Sequence, residues 1–423
     1  MKKDYAFTFA AEATVLTATL VMYRVAATYW EPDVFGEYML ARRTLGLIYA
    51  QSLLGLAVSI PRYIAVARPG GASVAQAGRY LLGGLILAGA ALLVVGALFL
   101  GFPTPIAALF FGDGSYSVLL PPLYACTVGV TMHILAYGYF RGHLRMKRAN
   151  TLQMINIGLV PLAAFAIPNL RVAGILWITG ITWSLLAGGV LLTTVLGEIG
   201  IREFRAPDLG RRIRELLRYG LPRLPGDLAL TALLTLPATI AAHRSGMEAA
   251  GHMAFAIAIL GMIGSFFSPI GLVLLPSASA MVARGEVQGL RRNVGRLLVV
   301  GIGVTGLGVG LLILIAPTLV TWYLGPEFRS AAGVVRVIGL GAVPYVVYLL
   351  LRAPLDAVTV TALNARNLLV GLAVFVILAA AVPNTAGAAW ALVAGLSVTG
   401  VLTVWDTFHR LRPAVSGPGE DGG

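Results

Sequence analysis

Glu12, Arg24, Arg42, Arg43, Arg223, Asp227 and Arg336 are ionisable residues inside stretches that are otherwise apolar over the width of a membrane. An ionisable side chain at the centre of a bilayer costs about 2.5–3.5 kcal/mol on insertion scales, so each one asks for a role. Two chemistries suit the set. A carboxylate within a membrane can carry a proton or lend its oxygens to a sodium site, which makes Glu12 and Asp227 ion-coupling candidates. The plainer alternative is that each pairs with, or hydrogen-bonds to, a neighbouring helix. Guanidiniums converging from several helices hold phosphate by charge-assisted, often bidentate, hydrogen bonds. On that chemistry Arg24, Arg42, Arg43, Arg223 and Arg336 are substrate-binding candidates for an anion. Arg24, Arg42, Arg43 and Arg336 also stand close enough to span ends to snorkel to the headgroups. Adjacent arginines diverge around a helix, so at most one of Arg42 and Arg43 needs to face a cavity.

The polar residues around these charges keep helical spacing. Thr8, Glu12, Thr19 and Tyr23 fall within about 60° of one another at 100° per residue, so the first span carries a polar stripe. Arg223, Asp227 and Thr231 likewise share a face, and Arg223 and Asp227 are spaced to pair at i, i+4.

The elements that must position these residues are membrane helices. The chain is 58% hydrophobic and only 12% charged, with a mean hydropathy of +0.86. Soluble domains are about 25% charged, so composition sets this chain outside the soluble class. A bilayer core needs roughly 20 apolar helical residues to cross it. Twelve runs meet or approach that length: 6–28, 38–60, 78–101, 118–140, 151–168, 172–196, 219–242, 249–275, 294–316, 331–351, 368–383 and 386–407. With the N-terminus placed in the cytoplasm, 23 Lys and Arg fall in cytoplasmic loops and helix ends and three, Arg171, Arg244 and Arg329, in outer loops. That bias follows the positive-inside rule and predicts a multi-pass protein of the cytoplasmic membrane with both termini cytoplasmic. It also accounts for the net charge of +13 without nucleic acid.

The fold class expected is therefore all-α, with twelve membrane helices in two parallel six-helix repeats. Shifting the sequence by 215 places Glu12 on Asp227, Gly36 on Gly251 and Pro61 on Pro276. Six spans per half is an even number, so the halves share one orientation, the layout of transporters whose substrate sites lie between repeats. The domains expected are an N-terminal lobe 1–200, a basic cytoplasmic linker 201–218, a C-terminal lobe 219–412 and a disordered tail 413–423. Within the linker, Arg211–Arg218 has the pattern of an amphipathic surface helix, although a plain topological linker explains its arginines as well. Pro222, Pro225 and Pro237 make the seventh span the best hinge candidate.

Catalytic and metal chemistry find little support. The single Cys126 lies in an apolar run, the five histidines show no ligand spacing, and no phosphate-cradling loop or nucleophile elbow is present. No cofactor, metal or enzymatic activity is expected.

The stretch Arg24–Tyr38, with Trp30-Glu31-Pro32-Asp33-Val34-Phe35-Gly36-Glu37 at its turn, followed by Ala41-Arg42-Arg43, resembles the first hairpin of polysaccharide flippases of the MATE-like MOP exporter superfamily. That family has Leu-Gly-Pro-Glu where this chain has Trp30-Glu31-Pro32-Asp33. Tyr139-Phe140-Arg141-Gly142, leading into the basic Arg145–Arg148 loop, is similar to the family's exit from span four. The resemblance implies a V-shaped, two-lobed transporter that moves a lipid-linked oligosaccharide outward by alternating access for surface polysaccharide biosynthesis. It implies an arginine-lined cavity, with membrane lipid around the substrate's tail. Glu12 and Asp227 make H+ or Na+ the expected partner if transport is ion-coupled, with a substrate gradient or a separate partner as the alternative drive, and a monomer working beside polysaccharide assembly machinery is expected. The rival expectations are a MATE-type multidrug antiporter and a membrane polysaccharide polymerase or ligase. The short outer loops argue against the enzyme.

Overall fold

The computed structural model describes residues 2–67, 73–359 and 361–411, and the predicted tail 413–423 lies outside the described residues. Helix follows helix, with no strand among the described residues. Helix α1 (Lys2–Tyr29) ends before Pro32, which opens α2 (Pro32–Ser52). Proline suits that position because the first helical N–H has no partner to lose. Leu54 and Gly55 both take positive φ, 49° and 76°, and α3 (Leu56–Ala67) leaves at 45° to α2. Span two is therefore bent. Ser73 and Gln76 form a capping box at the start of α4 (Val74–Gly101), and α5 (Pro103–Phe111) and α6 (Leu120–Gly142) follow.

The short fifth span is α7 (Met146–Gln153) running through a π-helical stretch, 154–159, into α8 (Val160–Ala164). Trp183 of α9 (Val172–Thr194) donates its indole N–H to the Asn156 carbonyl in that stretch, which satisfies a group the wider turn would leave open. Then come α10 (Leu209–Gly220), α11 (Leu224–Leu233), α12 (Leu236–Ala283), α13 (Val287–Tyr323), α14 (Ala331–Leu340), α15 (Ala342–Val358), α16 (Leu363–Ala381) and α17 (Thr385–Arg410). The prolines of span seven start elements: Pro222 a 3-10 turn, Pro225 helix α11 and Pro237 helix α12.

Nine helices among the described residues are long and apolar enough to cross a membrane, and the bent pair α2–α3 makes a tenth. Gly246 interrupts α12 with φ 86° and ψ −178°, so the stretch from Leu209 to Phe267 holds both spans seven and eight. With the fifth span, every one of the twelve predicted spans has its helix.

The chain divides into two compact units, Met1–Phe255 with Thr318–Ala331, and Ala256–Pro317 with Ala332–Gly423. In the first, Ile60, Ile64, Leu81, Leu82 and Tyr139 are buried in the core between α3, α4 and α6. In the second, Leu290, Val294 and Leu351 do the same between α13 and α15.

The tightest approach in the first unit joins α2 to α12. A Cβ on Gly36 would lie 2.0 Å from the Met247 carbonyl oxygen, and one on Gly251 would lie 2.6 Å from the Gly36 Cα. Beside them the Glu248 N–H donates to Asp33 Oδ1 at 3.0 Å. Both pairs are related by the shift of 215 residues found in the sequence. Residues that a two-fold repeat makes equivalent touch one another only near its axis, so this crossing fits the parallel repeat.

Helix α10 is amphipathic, with Leu209 and Leu216 buried and Ile213 packed against Gly83 of α4. Its polar edge is bolted down by charge: Arg79 donates to Glu203 at 2.5 Å and to Asp208 at 2.6 Å, and Arg212 donates to Asp208 at 3.2 Å and to the Tyr80 hydroxyl. Tyr80 in turn donates to Glu215 at 2.6 Å. Burial alone would push the Asp208 carboxyl up, but the Arg79 and Arg212 guanidiniums outweigh it and hold the carboxyl below its ordinary range.

Two outcomes are expected. A Gly36→Ala variant should lose about 1–3 kcal/mol of stability through overpacking, read as a lower thermal midpoint in detergent, whereas Gly303→Ala, with open space around it, should not. A depressed carboxyl stabilises above the unfolded value near 3.9 and stops doing so as pH falls through its folded value. Amide protection of Leu209–Gly220, corrected for intrinsic exchange, should therefore persist down to about pH 4 and fail below it, and Asp208→Asn should weaken it already at neutral pH.

Candidate functional site

Arg42 stands out among the predicted residues. It leaves α2 toward α1, where its Nη1 lies 3.1 Å from both Met22 Sδ and the Tyr38 hydroxyl. The Tyr38 hydroxyl itself donates to Met22 Sδ at 2.9 Å. The guanidinium carbon is 5.5 Å from the Tyr23 ring centre and 5.8 Å from that of Tyr38, within cation–π range of both. Trp30 and Phe165 also pack on Tyr38, with ring centres 5.5 and 5.3 Å away. Among the described residues, Arg42 has no carboxylate within ion-pair distance. Its charge is held by sulfur, a phenol and two π faces, which are weak acceptors. A guanidinium in that setting has donors to spare for an anion.

The helices that place it follow from the sequence already read. Tyr23 belongs to the polar stripe of span one, and Tyr38 lies one turn before Arg42 on the same face of α2. The glycine crossing at Gly36 and Gly251 presses α2 against α12 two turns from Arg42 and so fixes where its side chain starts.

The other predicted arginines each reach a backbone carbonyl. Arg43 turns to α12, where its Nη2 donates to Ala254 O at 3.2 Å, so the adjacent pair does diverge. Arg24 donates from Nη1 to Tyr323 O at 2.6 Å, and the Tyr323 hydroxyl donates back to Leu20 O. Arg223 donates to Tyr219 O at 2.7 Å and stacks 3.8 Å over the Tyr219 ring, whose hydroxyl accepts from Arg62 at 2.6 Å. Arg336 lies in the other compact unit and donates from Nε to Ile313 O at 2.9 Å.

Of the two acids, Glu12 is exposed on α1 within electrostatic reach of Arg141, whose guanidinium carbon is 5.4 Å from the Tyr137 ring centre. One turn earlier, Thr8 Oγ1 accepts from Asn150 Nδ2 at 2.8 Å. Asp227 is exposed on α11, and its carbonyl accepts from Thr231 Oγ1 at 2.8 Å. Span seven is tied to α2 below Arg43, with Gln51 Nε2 at 3.5 Å from Thr231 Oγ1 and Thr235 Oγ1 at 3.4 Å from Arg43 O.

Sequence reasoning missed Asp406. This carboxylate at the end of α17 is 9% exposed and accepts from Arg366 at 2.6 Å and from Asn367 Nδ2 at 2.9 Å. Asn367 is fully buried and also faces Thr403 at 3.4 Å. The signal was available, since Asp406 falls within the twelfth apolar run. Among the described residues no group of three or more His, Cys, Asp or Glu could hold a metal ion.

Three comparisons bear on these features. Residues 2–282 match the sequence model of a family described as "Polysaccharide biosynthesis protein". None of the curated proteins matches the chain. Among solved structures, the chain is similar to an inward-facing multidrug resistance MATE family transporter of the MOP superfamily, with a TM-score of 0.77 at 15% identity over 94% of this chain and 98% of that one. It is similar to a MOP superfamily transporter from Pyrococcus furiosus, described as having a binding pocket of reversed polarity, with a TM-score of 0.66 at 15% identity over 97% and 95%. A eukaryotic MATE transporter gives 0.61 at 13% identity over 96% and 94%. These likenesses show the fold: an all-α, polytopic membrane protein of MATE type.

The Arg42 contacts carry a stability consequence. Tyr38→Phe removes the one oxygen acceptor of the guanidinium and should cost about 1.5–3 kcal/mol, the range for a hydrogen bond to a charged group, as read from thermal unfolding in detergent.

Proposed function

The chain belongs to the polysaccharide biosynthesis protein family, and we propose that it is a flippase for a polyprenyl-(pyro)phosphate-linked oligosaccharide. The observation that carries the reading is Arg42, a membrane-embedded cation met by aromatic rings and a thioether in place of a carboxylate. A cationic substrate would be repelled there. An anionic phosphate would supply the acceptors the guanidinium lacks. The lipid tail of such a substrate stays in the bilayer, so the protein has only to carry the charged head and the sugars past the apolar core.

In this reading Arg42 is the principal phosphate ligand, with Arg24, Arg43, Arg223 and Arg336 joining it as the lobes 1–200 and 219–412 rock against each other. Both termini are cytoplasmic and the membrane is the cytoplasmic one, as the distribution of arginine and lysine supports. Glu12 and Asp227 are the coupling acids for H+ or Na+. The work is transport, and the protein acts as a monomer that delivers substrate to the machinery assembling surface polysaccharide.

The test is glycan export in cells that depend on this protein, with its level in the membrane checked alongside. Arg42→Ala should lower export about tenfold or more, the effect of losing 1.4 kcal/mol or more of substrate stabilisation. Arg42→Lys should recover part of it, because an ammonium keeps the charge without the fork. Arg24→Ala, Arg43→Ala and Arg223→Ala should act less strongly, since each donates to a backbone carbonyl. Wild-type export by both Arg42 variants would sink the phosphate role. Resistance to cationic dyes conferred on a strain lacking its own exporters would favour the multidrug antiporter.

A further inference from the structure

Six arginines and three acids lie between Ile201 and Arg218. The acids are all spent inward: Glu203 on Arg79, Asp208 on Arg79 and Arg212, and Glu215 on Tyr80 and Arg212. Arg211 makes only long contacts, 3.7 Å to Asp208 and 3.8 Å to Glu215. Arg202, Arg205, Arg214 and Arg218 are exposed, and none of the four has an ion-pair or hydrogen-bond partner among the described residues. A segment with a modest formal excess of charge therefore presents a surface of nearly undiluted guanidinium.

Its position narrows the partner. Span six ends at Ile199, and the 3-10 turn Ile201–Arg205 follows at once. In that turn Ile201 is 62% exposed and Phe204 39% exposed, each beside an unpaired arginine. Apolar side chains next to basic ones at the mouth of a membrane helix match the headgroup layer, where carbon enters the acyl boundary and guanidinium meets phosphate. On α10, Arg211, Arg214 and Arg218 fall within about 60° of arc, opposite the buried Leu209 and Leu216. The apolar face of that helix is already packed on the protein, so its basic face is what remains to be bound.

We infer that residues 201–218 form a binding surface for anionic phospholipid headgroups of the adjoining leaflet, with Ile201 and Phe204 as its apolar anchor and Arg202, Arg205, Arg214 and Arg218 as its phosphate ligands. The surface is independent of the transport site, because none of these residues contacts Arg42 or the rings around it. Anionic lipid held there would brace the segment that connects the sixth and seventh spans.

The full-length protein reconstituted in phosphatidylcholine containing spin-labelled lipid tests this. Electron paramagnetic resonance reads the fraction of each labelled lipid immobilised at the protein, and hence the preference for phosphatidylglycerol over phosphatidylcholine. Replacing Arg202, Arg205, Arg214 and Arg218 together by Gln should lower that preference roughly tenfold, and raised salt should lower it in the wild type. The quadruple Arg→Lys variant should retain it. Ile201→Ser with Phe204→Ser should weaken binding of both labelled lipids at this surface. If the quadruple Gln variant is not monodisperse, the pairs R202Q/R205Q and R214Q/R218Q are measured instead, each with a partial loss expected. An unchanged phosphatidylglycerol preference in folded Gln variants overturns the proposal. So does an unchanged preference accompanied by loss of an acidic protein that the wild type retains, since that assigns the surface to a protein partner.

Discussion

The close passage of α2 over α12 at Gly36 and Gly251 is the constraint on which the first unit depends. Two helix backbones come near enough there that a single methyl group would enter the space of a carbonyl oxygen. In a membrane, helices gain little by hiding apolar surface from one another, because lipid is as apolar as they are. What holds them is van der Waals contact and hydrogen bonding, and glycine maximises both by letting backbones meet. The Asp33 cap on the Glu248 N–H adds a polar fix beside the contact. From that crossing, α2 carries Tyr38, Arg42 and Arg43 in register, so the position of the candidate cationic site is inherited from the glycines.

Charge is used in two opposite ways along the same chain. At the linker end, carboxylates and guanidiniums are interleaved, as in Arg79 with Glu203 and Asp208, or Glu198 with Arg145 and Arg148. Such networks are local fasteners: the carboxylates are used up within them, while Arg202, Arg205, Arg214 and Arg218 stay outside. In span two the pattern stops. Arg42 is answered only by π faces, a phenol and a thioether, an arrangement that tolerates a cation without neutralising it. The difference between a fastened charge and an unanswered one separates scaffold from site here more clearly than burial does.

Much of this was legible from the residues. Apolar length found all twelve spans, and the shift of 215 found Gly36 and Gly251 as counterparts before their contact was known. Arg42 was legible as one member of a set of five, but its distinction within the set was not. That distinction rests on Tyr23, Met22 and Tyr38 meeting it across two helices, and no local rule announces such a meeting. The bend in span two was equally silent, because Leu54 adopts positive φ without the glycine signal that Gly55 alone suggests. The π-helical stretch of span five was hidden for the same reason, since it depends on Trp183 from another helix. Asp406 was overlooked although it was in plain view inside the twelfth apolar run.

The bend between α2 and α3 has a mechanical side. At Gly55 it rests directly on Gly220, where a Cβ on either residue would lie within 2.5 Å of the other strand of chain. No side chain stands between the two backbones to absorb a displacement. Leu54 is about 17 Å along the axis from Arg43, at 1.5 Å per residue. The helix that carries the two adjacent arginines therefore ends in direct backbone contact with the joint between the linker helix and span seven, with no flexible side chain at that contact to take up a shift.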